Sequence, residues 1–138
     1  MCATMMTANS RYLIDTYAWI EYVLGSEKGT ALKKIIADTQ NKIFTLESTF
    51  AEIKEWCLRE NYDFEIIYPK IRQDTYGVPL FLDNWLAAAE IKFNMRKTVK
   101  DFGLIDALLL AYQKKYKDII IVTGDPHFKG QRNVKYIG

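Results

Sequence analysis

The sequence predicts an α/β protein: a three-layer α/β/α sandwich built on a five-stranded, mainly parallel sheet. Short apolar runs suited to strands alternate with longer stretches of helical periodicity, which is the pattern of βαβ units. One run, "DIIIVT" (118–123), is almost wholly β-branched, as a central parallel strand buried on both faces should be. No internal repeat, low-complexity block or Pro/Gly/Ser linker interrupts the 138 residues, so one domain with a substantial core is expected.

The opening "MCATMMTANS" has no basic leader followed by an apolar stretch of signal length, and residues 1–10 read as a flexible tail before a domain over 11–138. "RYLID" (11–15) is the first expected strand, and "TYAWIEYVLG" is a helix stopped by Gly25. "GTALKKIIADTQ" supplies a second helix and "KIFTL" (42–46) the second strand. "STFAEIKEWCLRE" opens on a Ser/Thr cap, and Asp63–Asp74 is a weaker amphipathic stretch. "VPLFL" (78–82) is the third expected strand, with Asp83 capping "NWLAAAEIKFNMRK". In "DFGLIDALLLAYQKKYK", Ile105, Leu108, Leu109, Tyr112 and Tyr116 fall at helical spacing, Asp101 is placed to cap, and lysines suit the C-terminus. "DIIIVT" and "VKYI" (134–137) complete the strands.

Composition narrows the function. The chain is 49% hydrophobic and 26% charged, ordinary for a soluble globular protein. A formal charge of +2 is too small to grip a polyanion through long-range field alone. Cys2 and Cys57 form no CxxC pair or disulfide framework, which points to a reducing, cytoplasmic compartment. Nothing approaches the roughly 18 apolar residues of a membrane span. The single histidine, His127, cannot build a His-based metal cluster, so any metal is expected on oxygen.

Chemistry concentrates in four acids. Ligands of open parallel sheets bind beyond the carboxyl ends of the strands, where strand order reverses. Asp15 closes the first strand, and Asp125 follows the fourth in "TGDPHF". Glu52 is expected in the first turn of the helix after the second strand. Asp106 lies early in the helix that returns toward the start of the fourth strand, so its first turns belong at the same edge. Each has a plainer reading. Asp15 suits an N-cap, Glu52 a capping box with Thr49, and Asp125 a turn. Asp106 is the hardest to explain so, because apolar residues flank it on both sides. Like charges gathered at one edge raise one another's pKa unless a cation neutralises them. Oxygen donors select Mg²⁺ or Mn²⁺ over zinc. Such an ion suits phosphodiester hydrolysis, since it activates water and steadies charge on phosphoryl oxygens.

"YLIDTYAWIEYV", "TLESTFAEIKEW", "FGLIDALLLAY" and "IIIVTGDPHF" together resemble the four signature segments of the PIN domain family, in its VapC-type branch of toxin ribonucleases. The likeness runs from about Arg11 to the C-terminus. It places the family's four acids on Asp15, Glu52, Asp106 and Asp125, with Asp15, Asp106 and Asp125 as metal ligands. It makes Thr16 and Thr123 candidates for positioning the acids or a water. It implies Mg²⁺- or Mn²⁺-dependent cleavage of RNA, a homodimer, and inhibition by an antitoxin protein whose basic or aromatic tail occupies the acidic site. A departure is the bulky "ALLLAYQKK" after Asp106, where relatives often carry smaller residues, and this bears on substrate fit.

Other residues compete less well. Glu47 lies nearer the second strand but is expected to precede the helix, so it ranks behind Glu52. His127 reads as a solvated loop residue before a general base, and Trp19, Trp56 and Trp85 as packing before base stacking. Basic residues in "KFNMRKTVK" and "KGQRNVK" fit solvated surfaces and a phosphate-contacting rim equally. The alternative function is a catalytically inactive PIN scaffold that binds RNA or a protein partner. A receiver-like phosphoacceptor is disfavoured, because "DTYAW" offers one acid after the first strand where that fold needs a pair.

Overall fold

A computed structural model describes residues 10–138. The tail assigned to residues 1–10 lies, except for Ser10, outside the described residues, as does Cys2.

The chain runs β1 (Arg11–Ile14), α1 (Thr16–Leu24), α2 (Gly29–Ala37), β2 (Lys42–Leu46), α3 (Glu47–Glu60) and α4 (Phe64–Arg72). It continues through β3 (Tyr76–Val78), α5 (Leu82–Met95), α6 (Leu104–Lys115), β4 (Ile119–Thr123), a 3-10 turn (Pro126–Phe128) and β5 (Val134–Tyr136). The five strands form one sheet in the order β3-β2-β1-β4-β5, and every pairing is parallel. The expected α/β/α sandwich is therefore the observed one, with a wholly parallel sheet.

Alternation along the strands feeds two cores. Leu13 and Ile121 point to a core with Ala88 of α5 and Leu108 of α6. Their neighbours Ile14 and Val122 point to the other, shared with Trp19 of α1, Leu32 of α2, Ile53 of α3 and Ile71 of α4. Both central strands are thus buried on two faces, and each Leu or Ile so buried contributes roughly 2 kcal/mol of transfer free energy. Trp19 is fully buried, and its Nε1 donates to Thr45 Oγ1 at 2.9 Å, which makes it a core residue. Helix α1 stops where expected, at Gly25, whose φ of 67° is left-handed backbone that glycine adopts without strain.

Several expected boundaries move. The third strand is Tyr76–Val78, earlier than the apolar run 78–82 suggested. Pro79 brings no N–H to a ladder, and Phe81 and Leu82 are 63% and 71% exposed, so their apolarity serves a surface rather than a strand. Helix α3 begins at Glu47, with Ser48 and Thr49 buried inside it rather than capping it. Glu47 is therefore on the helix, and Glu52 falls in its second turn rather than its first. Asp83 also lies inside its helix: Asn84 Oδ1 accepts from Phe81 N, while Asp83 sits 3.9 Å from Lys115. Asp101 does not cap α6. It occupies left-handed backbone at φ 63°, Gly103 is the N-cap residue, and Asp106 Oδ2 accepts from Gly103 N at 3.3 Å.

Candidate active site

The chain builds β2 and β3 to one side of β1, then places β4 on its other side, so strand order reverses between β1 and β4. Ile14 is in register with Val122, which puts Asp15 and Thr123 side by side as both strands end. Asp15 N donates to Val122 O at 3.1 Å, continuing the ladder one residue into the site.

Asp15 fills the plainer of its readings, that of an N-cap, while facing the other acids. Its Oδ1 caps α1 by accepting from Ala18 N at 2.9 Å, and its Oδ2 accepts from the Thr123 hydroxyl. Its carboxyl is raised to about 7, chiefly by burial and in smaller part by Asp125 and Asp106, against the lowering effect of those two hydrogen bonds. Thr123 Oγ1 in turn accepts from Asp125 N at 3.0 Å, so one hydroxyl ties the first acid to the last. Between them Gly124 passes beneath Tyr17, where an added Cβ would stand 2.0 Å from the ring.

Glu52 reaches the site from α3. Thr16, the first residue of α1, donates to its Oε1 at 2.5 Å. Burial raises the Glu52 carboxyl above its ordinary range, and Asp106 adds to the effect despite the Thr16 bond. Asp106, in the first turn of α6, is also raised, chiefly by burial and then by Asp125. The carboxylate flanked by leucines therefore faces other carboxylates.

Asp125 caps the 3-10 turn, accepting from His127 N at 2.9 Å. That turn swings the His127 ring into the cluster. Its Nδ1 lies 3.3 Å from Asp106 Oδ2 and 3.5 Å from Asp125 Oδ1. Among the described residues, Asp106, Asp125 and His127 each offer a ligand atom, and these atoms lie within 4.8 Å of one another. Asp15 and Glu52 lie outside that trio. His127, expected as a solvated loop residue, thus stands among the acids with its side chain partly buried. "DPHF" held the signal: an aspartate followed by proline starts a tight turn that returns the residue two places on.

Beside the acids runs a groove of about 550 Å³ whose walls include Leu80, Trp85 and Ile105, with Glu47, Glu52 and Glu55 along it. Glu47 is tied to the segment before α5, its Oε1 accepting from Leu80 N at 2.9 Å. Trp56 stacks on Tyr62 with ring centres 4.7 Å apart, the packing role expected of it. Arg96 Nε donates to Phe102 O at 2.8 Å, which places part of the first basic cluster on the loop leading into α6.

The family model for the PIN domain matches residues 12–132. The chain belongs to the PIN domain family. No curated protein matches it in sequence. Solved structures similar in fold include three toxin–antitoxin proteins. VapBC2 from Rickettsia felis, bound to a DNA fragment from its promoter, is 13% identical with a TM-score of 0.69, over 91% of this chain and 98% of that one. A toxin–antitoxin complex from Klebsiella pneumoniae is 19% identical with a TM-score of 0.62, over 92% and 98%. Mycobacterium tuberculosis VapC20, a sarcin–ricin loop cleaving toxin, is 16% identical with a TM-score of 0.64, over 80% and 86%.

The donor set of this PIN domain fits a divalent cation. Three half-buried ligand atoms converge, two of them carboxylate oxygens, and the carboxyls of Asp15 and Asp106 are raised chiefly by burial and further by neighbouring acids, charge that a cation would offset.

Proposed function

We propose that the chain is a divalent-metal-dependent endoribonuclease that hydrolyses RNA phosphodiester bonds, acting as the toxin of a toxin–antitoxin pair. The observation that carries this reading is the gathering of Asp15, Glu52, Asp106 and Asp125 at the one place where strand order reverses. PIN family membership supports a nuclease, and the likeness in fold to toxin–antitoxin proteins supports the toxin role.

Asp106 and Asp125 would hold Mg²⁺ or Mn²⁺, with Asp15 behind them adding negative potential. When bound, such an ion polarises a phosphoryl oxygen and eases loss of a proton from water. The chain's own groups do the rest. Thr123 holds Asp15 in place and Thr16 holds Glu52 Oε1, which leaves Glu52 Oε2 to orient a water for in-line attack. The raised Glu52 carboxyl suits it to take up the proton that this water loses.

Two surfaces support the proposed partners. The groove beside Glu52 joins apolar walls to three glutamates, chemistry complementary to a basic and aromatic antitoxin tail. On α5, Leu82, Leu86, Ala89 and Phe93 form an exposed stripe at helical spacing, matched to itself when a second copy packs antiparallel. With Phe81 it offers on the order of 1,000 Å² across two copies, about what a specific homodimer needs. No helix among the described residues is long and apolar enough to cross a membrane, and a cytoplasmic site of action is part of the proposal.

Cleavage of a panel of structured and unstructured RNAs, with Mg²⁺, Mn²⁺ or EDTA, tests the reading. Wild type should cut only with metal, and Asp106→Asn should not cut. A metal-induced rise in melting temperature that Asp106→Asn lacks should accompany it. Metal-independent cleavage, or full activity in the variant, overturns the site. Absence of both effects leaves the acids structural and the binding scaffold as the better description.

A further inference from the structure

We infer that His127 is a nitrogen ligand of the cation held by Asp106 and Asp125, and that this mixed donor set favours Mn²⁺ and its first-row neighbours over Mg²⁺. The inference rests on the metal site proposed above.

Spacing is the first argument. Ligands at adjacent corners of an octahedral ion with bonds near 2.1 Å stand about 3 Å apart. His127 Nδ1 already lies 3.3 Å from Asp106 Oδ2 and 3.5 Å from Asp125 Oδ1. The imidazole nitrogen would need to close on each carboxylate oxygen by only a few tenths of an ångström, and all three donor atoms already lie within 4.8 Å of one another.

Orientation is the second. The ring does not hang from a loose loop. Its residue sits inside the 3-10 turn, with its backbone N–H on Asp125 Oδ1 at 2.9 Å. The next residue, Phe128, is fully buried, and the Phe102 ring centre lies 6.0 Å from that of the imidazole. These contacts present Nδ1, rather than Nε2, to the carboxylates.

Donor chemistry gives the consequence. Mg²⁺ prefers an all-oxygen octahedron and keeps its waters, whereas imidazole nitrogen suits first-row transition ions. A site with two carboxylate oxygens and one imidazole nitrogen therefore gains more from Mn²⁺ than an all-carboxylate site would. The competing role for His127 is a hydrogen bond from Nδ1–H to Asp106, which orients the carboxylate and contributes nothing to the ion.

Pulsed electron paramagnetic resonance of Mn²⁺ on the full chain separates the two. The expected result is nitrogen hyperfine coupling from a directly bound imidazole in wild type. That signal should take the ¹⁵N pattern when the protein is grown with ¹⁵N-histidine, which needs no substitution. In His127→Gln the coupling should vanish and Mn²⁺ should bind on the order of tenfold more weakly, with Mg²⁺ affinity changed much less. Tight Mn²⁺ binding without histidine coupling overturns the role of His127 and leaves the carboxylate site standing. Failure of wild type to bind Mn²⁺ overturns both, and Asp106→Asn marks that baseline.

Discussion

Thr123 donates its hydroxyl hydrogen to Asp15 across the boundary between the two central strands, and the same oxygen accepts from Asp125 N. Removing it should therefore loosen two acids at once. Thr123→Val leaves Asp15 Oδ2 and Asp125 N without their partner, a loss of roughly 1–3 kcal/mol each when buried. Urea denaturation at pH 8 in EDTA should show a destabilised variant. An unchanged midpoint would mean that water replaces the hydroxyl and that the bridge is dispensable.

The metal-free protein should lose stability as pH rises from 4 toward 8. Asp15 has its folded pKa raised from 3.8 to about 7 by burial, so the folded chain keeps a proton that the unfolded chain releases. Its contribution is complete below pH 3.8 and is lost as pH climbs through about 7. The span corresponds to about 4 kcal/mol as an upper bound. Asp15→Asn should thus gain on wild type as pH rises, while cleaving no RNA. Denaturation curves at pH 4, 6 and 8 check the trend, and a constant difference between the two proteins would refute it.

Glu52→Gln should lower kcat by about 10²–10⁴, the usual worth of a positioned acid–base group, with little change in metal affinity. Thr16→Val, which removes only the bond to Oε1, should fall between this variant and wild type. Equal loss of metal binding in Glu52→Gln would instead make Glu52 a ligand.

The α5 stripe should hold two copies together. Leu86→Glu, at a position 58% exposed in one chain, should convert a dimer to a monomer in sedimentation experiments without unfolding the domain. A wild type that sediments as a monomer at micromolar concentration would remove the dimer from the proposal.

The β-branched run 118–123, the spacing of helices and strands, and Gly25 announced the sandwich, because burial on two faces and left-handed backbone each demand particular side chains. Where apolar residues served surfaces, the same logic misled. Phe81 and Leu82 look like strand residues in sequence, yet they form part of an exposed stripe, and pattern alone does not distinguish an apolar residue inside a sheet from one on a surface. Capping misled for a related reason. Asp101, Asp83 and the Ser48–Thr49 pair were all chemically suitable, but the path of the chain gave the N-cap positions to Gly103, Phe81 and Leu46.

The site divides along the same line. Asp15, Glu52, Asp106 and Asp125 were legible because strand ends and helix starts in a parallel sheet fall at one edge, and that follows from the order of elements alone. The sequence by itself therefore determined the fold class and which acids meet. Only the tertiary structure decided how they meet: Thr123 on Asp15, Thr16 on Glu52, and His127 drawn in beside Asp106 by a three-residue turn. Side-chain partners across 21 to 108 residues of chain depend on register and on the local path of loops, at a scale of tenths of an ångström that periodicity does not encode.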